Sequence, residues 1–120
     1  MATLTTTLTL ASPDVSSDPL NLTVTDSLAV TNPVELARKS IATGSAQSVI
    51  ASNSAFSYVY IKVVSSTNDA AWLQVLLGGH AKLKMRVGEF TFLPLYSSQA
   101  ITAEAQTAAC VVEYGYWSIA

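Results

Sequence analysis

The chain has 120 residues, 50% of them hydrophobic and only 12% charged, with six Lys and Arg against eight Asp and Glu for a net charge of -2. That length supports one core rather than two, and the slightly acidic balance offers no basic field for nucleic acid. An ordinary soluble domain carries about 25% charged residues, so this surface is short of the charge that keeps a monomer apart from its neighbours.

The pattern along the chain has a period of two almost throughout. Leu4, Leu8 and Leu10 alternate with Thr5, Thr7 and Thr9, as in a strand with one dry face. Ala11-Ser12-Pro13-Asp14 breaks the pattern, and the Ser/Asp/Pro-rich stretch to Pro19 reads as a loop. Leu20, Leu22 and Val24 then share one face of a second strand, with an interruption expected near Asp26-Ser27 before Leu28-Ala29-Val30 resumes. No Lys or Arg occurs in the first 32 residues. Residues 1–32 are therefore expected to form an extended arm or strand pair that docks on a neighbouring subunit, and residues 33–120 the β-sandwich domain. Leu4, Leu8 and Leu10 are the arm's candidate subunit-interface residues.

Pro33 to Ala42 is the one helix candidate, because Pro33 suits a first helical position and Glu35 the first turn. It lacks a clean apolar stripe, and a strand or irregular segment is the favoured alternative. A short strand follows at Ser48 to Ala51. Phe56 to Val64 is rich in aromatic and β-branched residues, with both faces largely apolar, so a central strand is expected. Ala71 to Leu77 forms the next strand, and Gly78-Gly79 a tight hairpin connection that needs positive φ.

Ala81 to Val87 sets Leu83, Met85 and Val87 against Lys82, Lys84 and Arg86. Strand alternation places those three cations on one face about 6 to 7 Å apart, so half of the chain's positive charge forms a short stripe. A solvated edge-strand face is the plain reading; a docking stripe for an acidic protein surface is the functional one. Phe90 to Leu93 is a strand that Pro94 ends or holds at an edge. Ile101, Ala103 and Ala105 are in phase in another, and Cys110, Val112, Tyr114 and Tyr116 in the last. Tyr116-Trp117, close to the end of the sequence, is a candidate interface anchor. Eight to ten strands with short turns point to an all-β, jelly-roll-like β-sandwich.

Chemistry-bearing motifs are sparse. Cys110 is the single cysteine and His80 the single histidine, so a Cys-cluster zinc site has no ligands and a nucleophile–His pair would rest on one residue. Cys110 reads as a small buried apolar side chain, His80 as an exposed turn residue. The glycines match neither the dinucleotide fingerprint nor the P-loop, and the eight acids are scattered without a selected pair. No catalytic, metal or cofactor site is assigned. The Met1-Ala2-Thr3-Leu4-Thr5 start lacks a basic region followed by an apolar run, and the longest apolar-rich stretch, 70–79, is far short of the roughly 20 residues of a membrane span. A soluble protein of a reducing cytoplasm is expected, with no nucleic-acid and no membrane partner.

Tyr58-Val59-Tyr60-Ile61-Lys62, then Gly88-Glu89-Phe90-Thr91-Phe92-Leu93-Pro94-Leu95, then Cys110-Val111-Val112-Glu113-Tyr114 resemble the segments Y-x-Y-I-K-N, L-K-P-G-E-F-x-x-L-P-L and V-E-Y of small all-β virion proteins of tailed bacteriophages, including capsid decoration or cement proteins. The likeness covers roughly residues 56–116 and departs from the pattern at Val63 and Val87. It implies a non-enzymatic jelly-roll protein, a homotrimer on the outer face of the shell of the major capsid protein, assembled in the host bacterial cytoplasm. Residues 1–32 and the Lys82, Lys84, Arg86 stripe would then make the capsid contacts. The alternative is a tail, fibre or receptor-binding module, with Trp72 and Tyr96 as candidate stacking residues.

Overall fold

The computed structural model describes residues 2–14, 17, 19–31, 35–50, 57–95 and 100–119. Ten strands follow in order: β1 (Ala2–Ser12), β2 (Leu20–Val30), β3 (Glu35–Ile41), β4 (Gln47–Ile50), β5 (Tyr58–Ser66), β6 (Trp72–Leu77), β7 (His80–Arg86), β8 (Phe90–Pro94), β9 (Ile101–Gln106) and β10 (Cys110–Trp117). The described residues are all-β, without a helix. The chain divides into two compact units, Met1–Asn32 with Ile119–Ala120, and Pro33–Ser118.

The first unit is a two-stranded antiparallel ribbon, β1 on β2, in unbroken register from Ala2↔Val30 to Ser12↔Leu20. The expected interruption at Asp26-Ser27 does not occur: Asp26 pairs with Thr6 and Ser27 with Thr5. A carboxylate oxygen of Asp26 accepts the N–H of Ser27 at 2.8 Å, so the aspartate bonds to its own backbone locally without breaking the ladder. Val30 also bridges to Ile119.

The second unit contains two four-stranded sheets, sheet I in the order β3-β10-β5-β8 and sheet II in the order β4-β9-β6-β7. All strand pairs within them are antiparallel. Alternation decides the core: Val59, Ile61 and Val63 of β5, Leu73 and Val75 of β6, Ile101, Ala103 and Ala105 of β9, and Cys110, Val112 and Tyr114 of β10 are buried together. Both sheets contribute to one cluster, which is the arrangement of a sandwich.

The segment with a helix alternative is a strand. Its described part, β3, pairs with β10 from Glu35↔Tyr116 to Ile41↔Cys110, and Ile41 is fully buried; Pro33 lies outside the described residues. Lys39 points to the inner side at this edge, and its ammonium reaches the Ser48 carbonyl at 2.6 Å. Gly78 and Gly79 sit at φ of 61° and 84° and join β6 to β7, the conformation of a two-residue hairpin turn matched to strand twist. The β7–β8 corner is held on β5 by Gly88 N–H to Val63 carbonyl (2.8 Å) and Val63 N–H to Glu89 carbonyl (3.0 Å). That corner carries the chain from sheet II to sheet I. Pro94, which has no N–H to give, ends β8 at the edge of sheet I.

Candidate functional site

The ribbon sorts most of its side chains by face. On one face stand the pairs Leu4/Leu28, Leu8/Val24, Leu10/Leu22 and Ser12/Leu20; on the other stand Thr5/Ser27, Thr7/Thr25 and Thr9/Thr23. The hydroxyl face is self-satisfied in part, with Thr7 and Thr25 Oγ1 atoms 3.3 Å apart. The aliphatic face is open: Leu8, Leu10, Leu20, Leu22 and Val24 are each 40–53% exposed. Shielding what remains exposed of one such side chain stabilises by about 1 kcal/mol, and a bare two-stranded ribbon is marginal in water. Leu4, Leu8 and Leu10 thus belong to a larger apolar face completed by β2. One charge interrupts it, Asp26, between the Leu4/Leu28 and Leu8/Val24 pairs.

Lys82, Lys84 and Arg86 all stand exposed on β7, the edge strand of sheet II. They are not equivalent. Lys84 places its Nζ 4.4 Å from the centroid of the Trp72 ring, a cation–π contact, which leaves Lys82 and Arg86 as the freer cations. A shallow groove of about 260 Å³ lies here, lined by Trp72, Gln74, Lys82 and Lys84 among others. Beyond Gln74, Glu104 accepts a hydrogen bond from the Gln106 amide at 3.0 Å. Tyr96, the other candidate stacking residue, lies outside the described residues.

The outer face of sheet I carries a third surface. Register places Arg38, Glu113, Lys62 and Phe90 in one row across the four strands, and Leu36, Gly115, Tyr60 and Phe92 in the next. The Tyr60 hydroxyl donates to Glu113 Oε1 at 2.9 Å, and Arg38 Nε donates to Oε2 at 3.1 Å. These two bonds hold the Glu113 carboxyl below its usual range, while burial and then the Glu113 bond raise the Tyr60 phenol above 10.0. Because the folded carboxyl is the stronger acid, its contribution to stability is present above the unfolded value and is lost as pH falls through the folded one. Melting temperature against pH tests this with Glu113→Gln. The native chain should melt higher near neutrality, the gap closing below about pH 4; a pH-independent gap would exclude the carboxylate as its source.

Tyr116 and Trp117 are corrected by the structure. They are 7% and 9% exposed, not surface anchors. The last strand is an inner strand, flanked by β3 and β5, so nearness to the end of the sequence does not bring these residues to the surface. Tyr116 joins the core, and Trp117 pairs with Tyr58 and meets Phe92 at 6.4 Å between ring centroids. Cys110 is also fully buried, and burial pushes its thiol up. His80 is exposed. Among the described residues no three His, Cys, Asp or Glu side chains converge as a metal set, and no helix is long and apolar enough to cross a membrane.

No protein-family model matches the chain, and no curated protein or solved structure is significantly similar to it. The surfaces therefore have to speak through their own chemistry. Sequence reasoning missed Lys62, Phe90 and Phe92 as surface residues, because an aromatic outer face has the same composition as a core face. The signal available was Lys62, a charge in the Tyr58 and Tyr60 phase of its strand, which marks that phase as the outer one.

Proposed function

We propose that the chain is a non-enzymatic structural protein of a tailed-bacteriophage virion, a decoration or cement protein that binds and stabilises the capsid shell. The observation that carries this reading is the aliphatic face of the ribbon, which gains stability only when another surface covers it. A protein built to be covered, low in charge and rich in hydroxyl side chains, suits binding by area rather than catalysis. The resemblance over residues 56–116 supplies the virion context.

The finer fold assignment is a jelly roll. It is supported by the nested pairs β3·β10, β4·β9, β5·β8 and β6·β7, the order made by one long hairpin folded across two sheets. In this reading a homotrimer sits on the outer capsid surface, and the Lys82, Lys84, Arg86 stripe of each copy meets acidic groups of the major capsid protein. Several modest contacts then add through multivalency.

Quantifying the protein in purified virions tests the proposal. Decoration requires a copy number comparable with that of the major capsid protein. A few copies per particle, or density for the chain at the tail alone in a cryo-electron microscopy map, would overturn it. That outcome would favour a tail or receptor-binding module, the reading supported by the groove beside Trp72.

A further inference from the structure

The exposed large hydrophobic residues fall mainly on two surfaces. Leu8, Leu10, Leu20, Leu22 and Val24 lie on the ribbon, and Leu36 and Phe90 on the outer face of sheet I. Each surface carries a charge within its apolar field. On the ribbon it is Asp26, set between aliphatic pairs. On sheet I, beside the Arg38–Glu113 ion pair, it is Lys62, next to Phe90 in register on one side and Glu113 on the other. Both Glu113 oxygens are already engaged, by Tyr60 and by Arg38.

The position of Asp26 selects what can cover the ribbon. A carboxylate taken out of water needs a cation or several donors opposite it. The first 32 residues contain no Lys or Arg, so a second ribbon laid face to face would bury Asp26 against leucines or against another Asp26. An apolar surface with a cation inside it is required. Sheet I offers that combination.

We propose that the ribbon of one copy lies across the outer face of sheet I of a second copy, with its leucines on Phe90, Phe92 and Leu36 and Asp26 against Lys62. Eleven residues of strand span about 37 Å, enough to cross the roughly 19 Å width of four strands. The two patches differ, so each copy gives one and receives on the other, and a closed assembly, whether a reciprocal two-fold dimer or a ring, satisfies every ribbon and every sheet. The inference rests on the assembly of several copies in the reading above, and not on where in a virion they sit. It leaves the β7 stripe free for the shell.

Sedimentation of the purified chain over a concentration series tests the contact without any virion. The native chain should assemble. Asp26→Lys and Lys62→Asp should each weaken association about 30-fold or more, the scale on which a desolvated ion pair is broken, and the double variant should recover most of it. Both sites are on outward faces, and circular dichroism checks that the variants fold. Phe90→Ser, which leaves both charges in place, is a second measurement and should also weaken assembly. A monomeric native chain, a Lys62→Asp variant that assembles like the native chain, or a double variant as weak as either single change would each overturn the proposal. Failure of this test with high copy number in virions would leave decoration standing; the reverse pattern would leave the contact between copies and remove the capsid.

Discussion

Deletion of residues 2–31 is expected to leave the remaining chain folded and to abolish its assembly. The expectation follows from where burial lies. Among the described residues, every buried hydrophobic residue apart from Val30 belongs to Ile41 through Trp117, and the core cluster draws on none of the ribbon's. The ribbon contributes its own ladder and the Val30–Ile119 bridge, none of which closes sheet I or sheet II. The truncated chain should keep its β-type circular dichroism and melt within about 5 °C of the native chain, a change near 1 kcal/mol for a domain of this size. Its sedimentation should be monomeric. Unfolding on deletion would show that the ribbon completes the core. Undiminished assembly would show that the aliphatic face is not the contact.

Period-two alternation makes the interior legible from the sequence. The phases of Val59, Ile61 and Val63, of Ile101, Ala103 and Ala105, and of Cys110, Val112 and Tyr114 are all buried phases, because a strand in a two-layer fold has one inner side and alternation reports it directly. Gly78-Gly79 announced its hairpin for an equally local reason, positive φ at both turn positions. The errors were nonlocal. Asp26-Ser27 looked like a break, yet eleven paired residues on each strand outweigh two residues of poor β propensity. Trp117 looked terminal and exposed, yet its strand is enclosed by β3 and β5. Strand order is a property of partners far apart in the chain, and no window of sequence contains it.

The same distinction applies to the candidate contacts. The β7 stripe was readable because three cations at every second position need only one strand to align them. The Asp26 and Lys62 faces were not, since each becomes visible only when cross-strand register shows which apolar side chains surround the charge. Leu20, Leu22 and Val24 were in phase with one another in sequence, but their union with Leu8 and Leu10 into one face depends on the pairing of β1 with β2.

A core substitution should separate interior leucines from covering leucines by its large effect. Leu73 is fully buried on β6, with Met85 opposite it on β7 and Ala105 on β9. In Leu73→Ala the methyls of Ala105 and of nearby Ala103 are too short to reach the space, whereas the flexible Met85 side chain fills part of it. A cost of about 3 kcal/mol is expected, within the usual range for a buried leucine, and a fall in melting temperature of about 15 °C. Leu22→Ala is the comparison. Its side chain is 42% exposed on the ribbon, so truncation should change monomer stability by less than about 1 kcal/mol while weakening assembly. Denaturant titration of both variants below the concentration of association measures the contrast. Equal losses would mean that the ribbon leucines are already interior in the monomer, and a negligible loss at Leu73 would remove it from the core.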